Sequence, residues 1–320
     1  MMQQSFSERI ALGSTGLRIR PLGVGTWQWG DRMLWGFGRG YGEGDVREAF
    51  KVCIEAGMDF FDSAEVYGFG RSERLLGSCI HTTNAPVITA TKFFPFPWRL
   101  TRKSLMTALR RSLKRLGMAR LDLYQIHWPL PTVSIETWMA AMADCVDAGL
   151  LRAVGVSNYN AEQTRRAHAA LAERGIPLAS NQIPFSMLHR RPERNGLLET
   201  CQELGITVIA YSPLEQGLLT GKYTPENPPD GVRGRRLKSG YLEALMPLIG
   251  RMREIGKGHG GRSPAQVALN WAMCKGTVPI PGAKNARQAE ENVGALGWRL
   301  SGGDVDALDE ASAKVEPSTL

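Results

Sequence analysis

The chain of 320 residues is predicted to fold as an α/β protein of the (β/α)8 TIM-barrel class, with an N-terminal β-hairpin and a long loop after strand seven. Three observations predict it. Short apolar runs alternate with stretches of helical patterning, the sign of parallel strands joined by crossover helices. Consecutive runs end in polar residues: MDFFD at Asp62, VITATK at Lys92, LDLYQIH at His127, RAVGVSN at Asn158, LASNQ at Gln182 and TVIAY at Tyr211. Glycines (Gly57, Gly117, Gly149, Gly175, Gly205) follow the helical stretches, where a left-handed residue ends a helix cheaply. Barrels of this class keep their chemistry at the carboxyl ends of the strands, which is where the six polar residues fall.

The elements follow in order. Residues 8–20 alternate polar and apolar around Gly13-Ser14-Thr15-Gly16, as a hairpin that could plug the amino end of the barrel. Leu22–Gly25 is the first barrel strand, and an aromatic, glycine-rich loop runs from Trp27 to Gly44. The first helix covers Val46–Ala56, and the second begins near Ser72, a candidate N-cap. Helices are expected over Arg102–Leu116, Glu136–Ala148, from Ala161, over Leu197–Leu204 and again from Tyr241. The last strand is TVPIPG, and a terminal helix from Val305 packs outside the barrel. Between Tyr211 and Tyr241, residues 212–240 carry prolines, glycines and the cluster Arg233, Arg235, Arg236 and Lys238, which reads as a lid over a ligand. No linker divides the chain, so residues 1–320 are expected to form one domain.

Composition excludes several classes. Hydrophobic residues at 43% and charged residues at 22% suit a globular enzyme. No apolar run approaches the roughly 20 residues that span a bilayer, so no membrane partner is expected. MMQQSFSERIAL has no signal-peptide pattern, and the expected location is cytoplasmic. The five cysteines are spread out with no CxxC, as buried apolar residues rather than metal ligands; no metal is expected. A net charge of +8 raises the question of nucleic acid, since Arg99, Arg102, Lys103, Arg110, Arg111, Lys114, Arg115 and Arg120 crowd one stretch. Leu105, Leu109, Leu113 and Leu116 recur through it at helical spacing, so it reads as a barrel helix with a solvated basic face, not a nucleic-acid site.

Asp62, Tyr67, Lys92 and His127 carry the chemistry. A phenol with a pKa near 10 is a slow acid at neutral pH, and a lysine ammonium beside it is expected to lower that value. Aspartate holds the lysine charged, and histidine can donate a hydrogen bond to a carbonyl oxygen. Together they describe a proton-donating site for an oxygen that becomes an alkoxide, with hydride supplied by a soluble donor. Singly each has a bland reading: Asp62 as a loop brace, Tyr67 as a surface aromatic, His127 as a structural histidine.

The segments FFDSAEVYGFGRSERLLG (60–77), ATK (90–92), DLYQIHWP (122–129), VGVSNY (154–159), SNQIPFS (180–186), AYSPLEQGLLTGKY (210–223) and PIPGAKNARQAEEN (279–292) resemble the aldo-keto reductase superfamily, in order and over nearly the whole chain. The likeness is to its bacterial and plastid reductases. The resemblance implies a reductase of aldehydes and ketones that uses NADPH. It implies Tyr67 as proton donor, Lys92 and Asp62 as its tuning pair, and His127 as the residue orienting the carbonyl. Ser157, Asn158 and Gln182 would hold the nicotinamide carboxamide, Tyr211 would stack on the ring, and Gly25, Thr26 and Trp27 would form the floor. Ser212, Leu214, Gln216 and Lys222 would meet the pyrophosphate, and Pro213 and Gly217 would also bind the cofactor. Gly282, Lys284, Gln288, Glu291 and Asn292 would hold the adenosine end, with Lys284, helped by Arg287, on the 2′-phosphate. Many relatives have arginine where this chain has Gln288, which bears on the size of the NADPH preference.

The aromatics Trp29, Trp35, Phe37, Phe93, Phe94, Phe96, Trp98, Trp128 and Phe185 fall in or beside strand-end loops, and Trp29 and Trp128 are expected to line a pocket for a small carbonyl substrate. GLLTGKYT (217–224) is one residue short of a P-loop, and Gly36, Gly38 and Gly40 complete no dinucleotide fingerprint. The alternative function is a redox-sensing regulatory subunit resembling the potassium-channel β subunits, which have asparagine where this chain has His127. A lyase or glycosidase barrel would need a second strand-end carboxylate. Oligomeric state has no signature in the chain.

Overall fold

The computed structural model describes residues 6–229, 234 and 237–315. Eight parallel strands form its centre: β3 (Val24–Gly25), β4 (Phe60–Asp62), β5 (Ile88–Phe93), β6 (Leu121–Ile126), β7 (Leu151–Ser157), β8 (Leu178–Pro184), β9 (Thr207–Tyr211) and β10 (Thr277–Pro279). They hydrogen-bond in that sequence order. The cylinder closes where the Gly23 and Gly25 amides donate to Pro279 and Pro281 oxygens, both at 3.0 Å. Glycine is required at that seam. A Cβ on Gly25 would lie 2.9 Å from the Ile280 oxygen, and one on Gly23 2.5 Å from the Phe60 ring.

Helices α1 (Glu43–Glu55), α2 (Arg71–Ile80), α3 (Arg102–Leu116), α4 (Ile135–Asp147) and α5 (Ala161–Ala172) occupy the successive crossovers. After β8 come the short α6 (Arg191–Arg194) and α7 (Leu197–Glu203), then α8 (Tyr241–Gly258), α9 (Pro264–Cys274), α10 (Ala286–Val293) and α11 (Gly302–Ala313). Helix α3 buries Leu105, Leu109, Leu113 and Leu116; Arg102, Lys103, Arg110, Arg111 and Lys114 lie exposed along the other face, while Arg115 pairs with the buried Glu73. Four cysteines are buried and Cys274 is partly so; burial pushes the Cys53 thiol up to about 12, so these are packing residues. No helix among the described residues is long and apolar enough to cross a membrane.

Because successive strand residues face opposite ways, each strand feeds both the barrel interior and the helix layer. Phe60, Ala90, Leu123, Ala153, Ala179, Ile209 and Val278 form an inner apolar layer. The hairpin, β1 (Ile10–Ala11) with β2 (Arg18–Ile19), caps that layer with Leu12, Leu17 and Ile19. Its turn is pinned by the Gly13 amide donating to Thr207 Oγ1 at 2.7 Å. The expected plug at the amino end is therefore present. Two residues further along β4, β5 and β6 come Asp62, Lys92 and Gln125, all buried, so the interior changes from apolar to polar toward its carboxyl end.

Three local readings are corrected. Ser72 is not an N-cap: Gly70, at φ +78°, precedes α2, while the buried Ser72 hydroxyl donates to the Thr26 carbonyl at 2.8 Å. Helix α1 starts at Glu43, three residues upstream of the expected start, because the Asp45 carboxylate accepts from the Gly42 amide at 2.8 Å and caps it there. The opening part of segment 212–240 is a packed turn rather than a lid. Glu215–Thr220 forms 3-10 turns whose Leu218 and Leu219 are buried against a cluster containing Ile249 and Trp271. Arg233, Arg235 and Arg236 lie outside the described residues.

Candidate active site

A cleft of about 710 Å3 opens at the carboxyl end of the barrel, bordered by the loops after the strands. That size falls in the roughly 300–1,000 Å3 range of ligand and cofactor sites.

At its base Lys92, fully buried on β5, forms an ion pair with Asp62 on β4. Its ammonium also donates to the Ser63 carbonyl at 2.8 Å and to the Tyr67 hydroxyl at 3.4 Å. Tyr67 stands at the start of the turn joining β4 to α2, stacked against Trp27 with ring centroids 6.0 Å apart. His127, one residue beyond β6, meets Tyr67 edge-on at 5.9 Å. The four side chains, drawn from the ends of β4, β5 and β6, therefore converge on one point of the cleft. Lys92 lies beneath the cleft wall and reaches it through Tyr67.

Electrostatics correct one expectation. Burial raises the Tyr67 pKa, Lys92 lowers it, Asp62 raises it, and the net direction is upward rather than down. The phenol is thus held protonated. For Lys92, burial alone favours the neutral amine, but the Asp62 charge and the hydrogen bonds to Asp62 and Tyr67 outweigh it and leave the pKa raised. His127 is pushed well below its ordinary value by burial and then by Lys92. It is a neutral imidazole at pH 7, and its buried Nδ1 has no protein partner.

Next to this group, Asn158 has φ +63° just past β7, a sparsely populated conformation for a residue with a side chain. Its amide nitrogen donates to the His127 carbonyl at 3.0 Å, and its oxygen accepts from the Tyr211 hydroxyl at 2.9 Å. The Ser157 hydroxyl donates to the Gln182 carbonyl at 2.8 Å. Ser212, Glu215 and Gln216 also have positive φ, so the backbone after β9 carries strain beside the cleft. Ser186 donates to the buried Glu215 carboxylate at 2.7 Å and anchors this turn.

Gly25, Trp27, Trp128, Pro213, Leu214, Gln216, Gly217 and Lys222 border the cleft. So do Gly282, Lys284, Gln288, Glu291 and Asn292, together with Arg287. The Gln288 carboxamide oxygen accepts from the Lys284 amide at 2.9 Å, and so shapes the loop that presents Lys284. The Lys284 ammonium sits over the Tyr41 ring at 4.7 Å and donates to the Trp35 carbonyl at 3.2 Å.

Besides Lys92, two expected site residues do not line the cleft. Trp29 is fully buried, with its indole N–H donating to the Ala283 carbonyl at 2.8 Å and its ring against Phe61; it is a core residue. Thr26 is buried too, and its hydroxyl bridges the Asp62 carbonyl at 3.0 Å and Ser72 at 2.7 Å. Both braced positions flank Trp27, which does face the cleft. The sequence reading missed Gln28, whose buried Oε1 has no protein partner and which packs where a Cβ on Gly282 would collide at 2.1 Å. It also missed Gln125, hidden because an amide inside an apolar run has no periodicity of its own.

Comparison with known proteins shows the family and the fold. Residues 21–313 match the Aldo/keto reductase family. The chloroplastic pyridoxal reductase of Arabidopsis thaliana is 41% identical over 98% of this chain and 88% of its own length. The L-glyceraldehyde 3-phosphate reductase of Escherichia coli is 33% identical over 89% of this chain and 86% of its own. Among solved structures, the thermostable aldo-keto reductase Tm1743, in complex with the inhibitor epalrestat, superposes with a TM-score of 0.77 at 32% identity, covering 95% of this chain and 99% of that one.

Proposed function

Since this chain belongs to the aldo/keto reductase family and is an oxidoreductase, we propose that it reduces aldehydes or ketones to alcohols with NADPH, with Tyr67 donating the proton. The observation that carries this reading is the Asp62–Lys92–Tyr67 contact with His127 beside it, at one end of a cleft that carries cations at the other.

The donor set suits a dinucleotide. Ser157, Asn158 and Gln182 offer the hydroxyl and amides that match a carboxamide, and Tyr211, whose hydroxyl donates to Asn158, borders the same cleft. The orphaned Gln28 Oε1 is a buried acceptor at the seam of the barrel that a ligand donor would satisfy. Lys222, Lys284 and Arg287 supply positive charge for phosphates, and the relative from Schizosaccharomyces pombe is named for NADP(+). Bound there, the reduced nicotinamide supplies the hydride.

The chain's own residues do the rest. Neutral His127 offers a ring N–H to the carbonyl oxygen without placing a second full charge beside Lys92. The Tyr67 hydroxyl, kept protonated by burial, gives up its proton as negative charge grows on that oxygen. Lys92 then stabilises the phenolate, and Asp62 prevents the ammonium from losing its own proton. Trp27 and Trp128 exclude water and offer apolar walls to the substrate. The five free thiols suit a reducing compartment, and we assign the enzyme to the cytoplasm on that basis.

The test is NADPH oxidation against a panel of carbonyl compounds that includes pyridoxal, glyceraldehyde 3-phosphate and nitrobenzaldehydes. Turnover of at least one is expected. Tight NADPH binding with no turnover across the panel would favour the regulatory-subunit reading instead.

A further inference from the structure

Gln125 lies inside the barrel on β6, beside Lys92 on β5 and Gly155 on β7 in the strand register. It is fully buried and does not border the cleft. Its amide nitrogen donates to Asp62 Oδ1 at 2.9 Å. The Gln182 amide nitrogen donates to the same oxygen at 2.9 Å and approaches Gln125 Oε1 at 3.3 Å. The room for this arrangement comes from Gly155, where a Cβ would lie 2.9 Å from Gln125 Cγ.

The orientation of both amides follows from elementary chemistry. An ionised carboxylate accepts and never donates, so each glutamine must turn its NH2 group toward Asp62. With its nitrogen committed there, Gln125 turns its oxygen toward Gln182 and accepts that side chain's second N–H. The Gln182 nitrogen is then held from two sides, and its carbonyl oxygen is the end left for the cleft. An amide that could flip would offer the cleft a donor half the time and an acceptor the other half; this one is fixed as an acceptor. A carboxamide NH2 is the complementary group.

We propose that Gln125 is a positioning residue: it locks the Gln182 amide, and with it the nicotinamide end of the cleft, to the Asp62–Lys92 ion pair. The inference rests on the NADPH reading above. One buried network thereby sets both the proton-donating group and the orientation of the cofactor amide, so that neither can shift without the other.

The test compares wild type with Gln125→Met, which keeps the side-chain length and removes every polar atom. Binding is titrated with two probes, NADPH and adenosine 2′,5′-bisphosphate, the second reporting only the adenosine end. In the variant the NADPH dissociation constant is expected to rise about tenfold, the order expected for a lost orienting hydrogen bond, with bisphosphate binding unchanged. Equal weakening of both probes, or of neither, would overturn the proposal, because general loosening of the barrel does not distinguish the two ends. If Gln125→Met does not fold, Gln125→Glu provides the reading. It sets a second carboxyl against Asp62, so NADPH affinity should fall as pH rises and the introduced carboxyl ionises; a pH-independent affinity would overturn the proposal. Failure of the underlying reading looks different: wild type would then bind neither probe.

Discussion

The Lys92 side chain shows how much a single residue can depend on its partner. It is fully buried, and its charge is supported by Asp62, the Ser63 carbonyl and the Tyr67 hydroxyl. Removing one member of a buried pair strands the other, at a cost of about 3–5 kcal/mol. Lys92→Met is therefore expected to destabilise by that order in urea unfolding. Combining it with Asp62→Asn should cost less than the sum of the single changes by about 1 kcal/mol or more; strict additivity would show that the ion pair is not coupled. His127 carries a pH signature. Its folded pKa is depressed, so the unfolded chain binds a proton that the folded chain refuses once pH drops below about 6.5. Stability from this group is present above that pH and lost as pH falls toward the folded value, with a slope of at most about 1.4 kcal/mol per pH unit. Unfolding of wild type and His127→Asn between pH 7 and pH 5 checks it: the variant should lose less stability than wild type over that range.

At the scale of elements, the strand ends were legible in the sequence because buried parallel strands are continuous apolar runs whose last residues leave the core. Asp62, Lys92, Asn158 and Tyr211 stand within one residue of a strand terminus, as expected. Gln182 sits two residues before the end of β8, inside the barrel, which is why it reaches Asp62. What the pattern could not distinguish was which face a loop aromatic takes. Trp27 and Trp29 share one loop and the same parity, yet Trp27 lines the cleft and Trp29 enters the core, because the turn closed by the Trp29 amide on the Thr26 carbonyl redirects the chain between them. The loop after β10 carries its own prediction. Lys284 leans on Trp35 and Tyr41 from the loop after β3, so the cation proposed for the 2′-phosphate also ties two loops together. Lys284→Ala is expected to raise the Michaelis constant for NADPH about tenfold or more and that for NADH much less. Equal increases for both cofactors would assign Lys284 to loop bracing alone.

Across the whole molecule, an apolar layer sealed by the hairpin gives way to a polar layer at the opposite end, and the cleft lies over the polar one. That polarity was readable from the alternation of runs and polar ends, but the depth of the network was not. The same apolar surroundings that the sequence displays set the direction of the Tyr67 pKa, since burial outweighs the neighbouring ammonium. An acid that must stay protonated until charge develops on its substrate gains from that balance. The central claim is that this one phenol protonates the substrate oxygen, and Tyr67→Phe tests it most directly. With a carbonyl compound that wild type turns over, the variant is expected to lose about a hundredfold or more in kcat while binding NADPH within about twofold of wild type. Reduction at an undiminished rate by the phenylalanine variant would contradict the account.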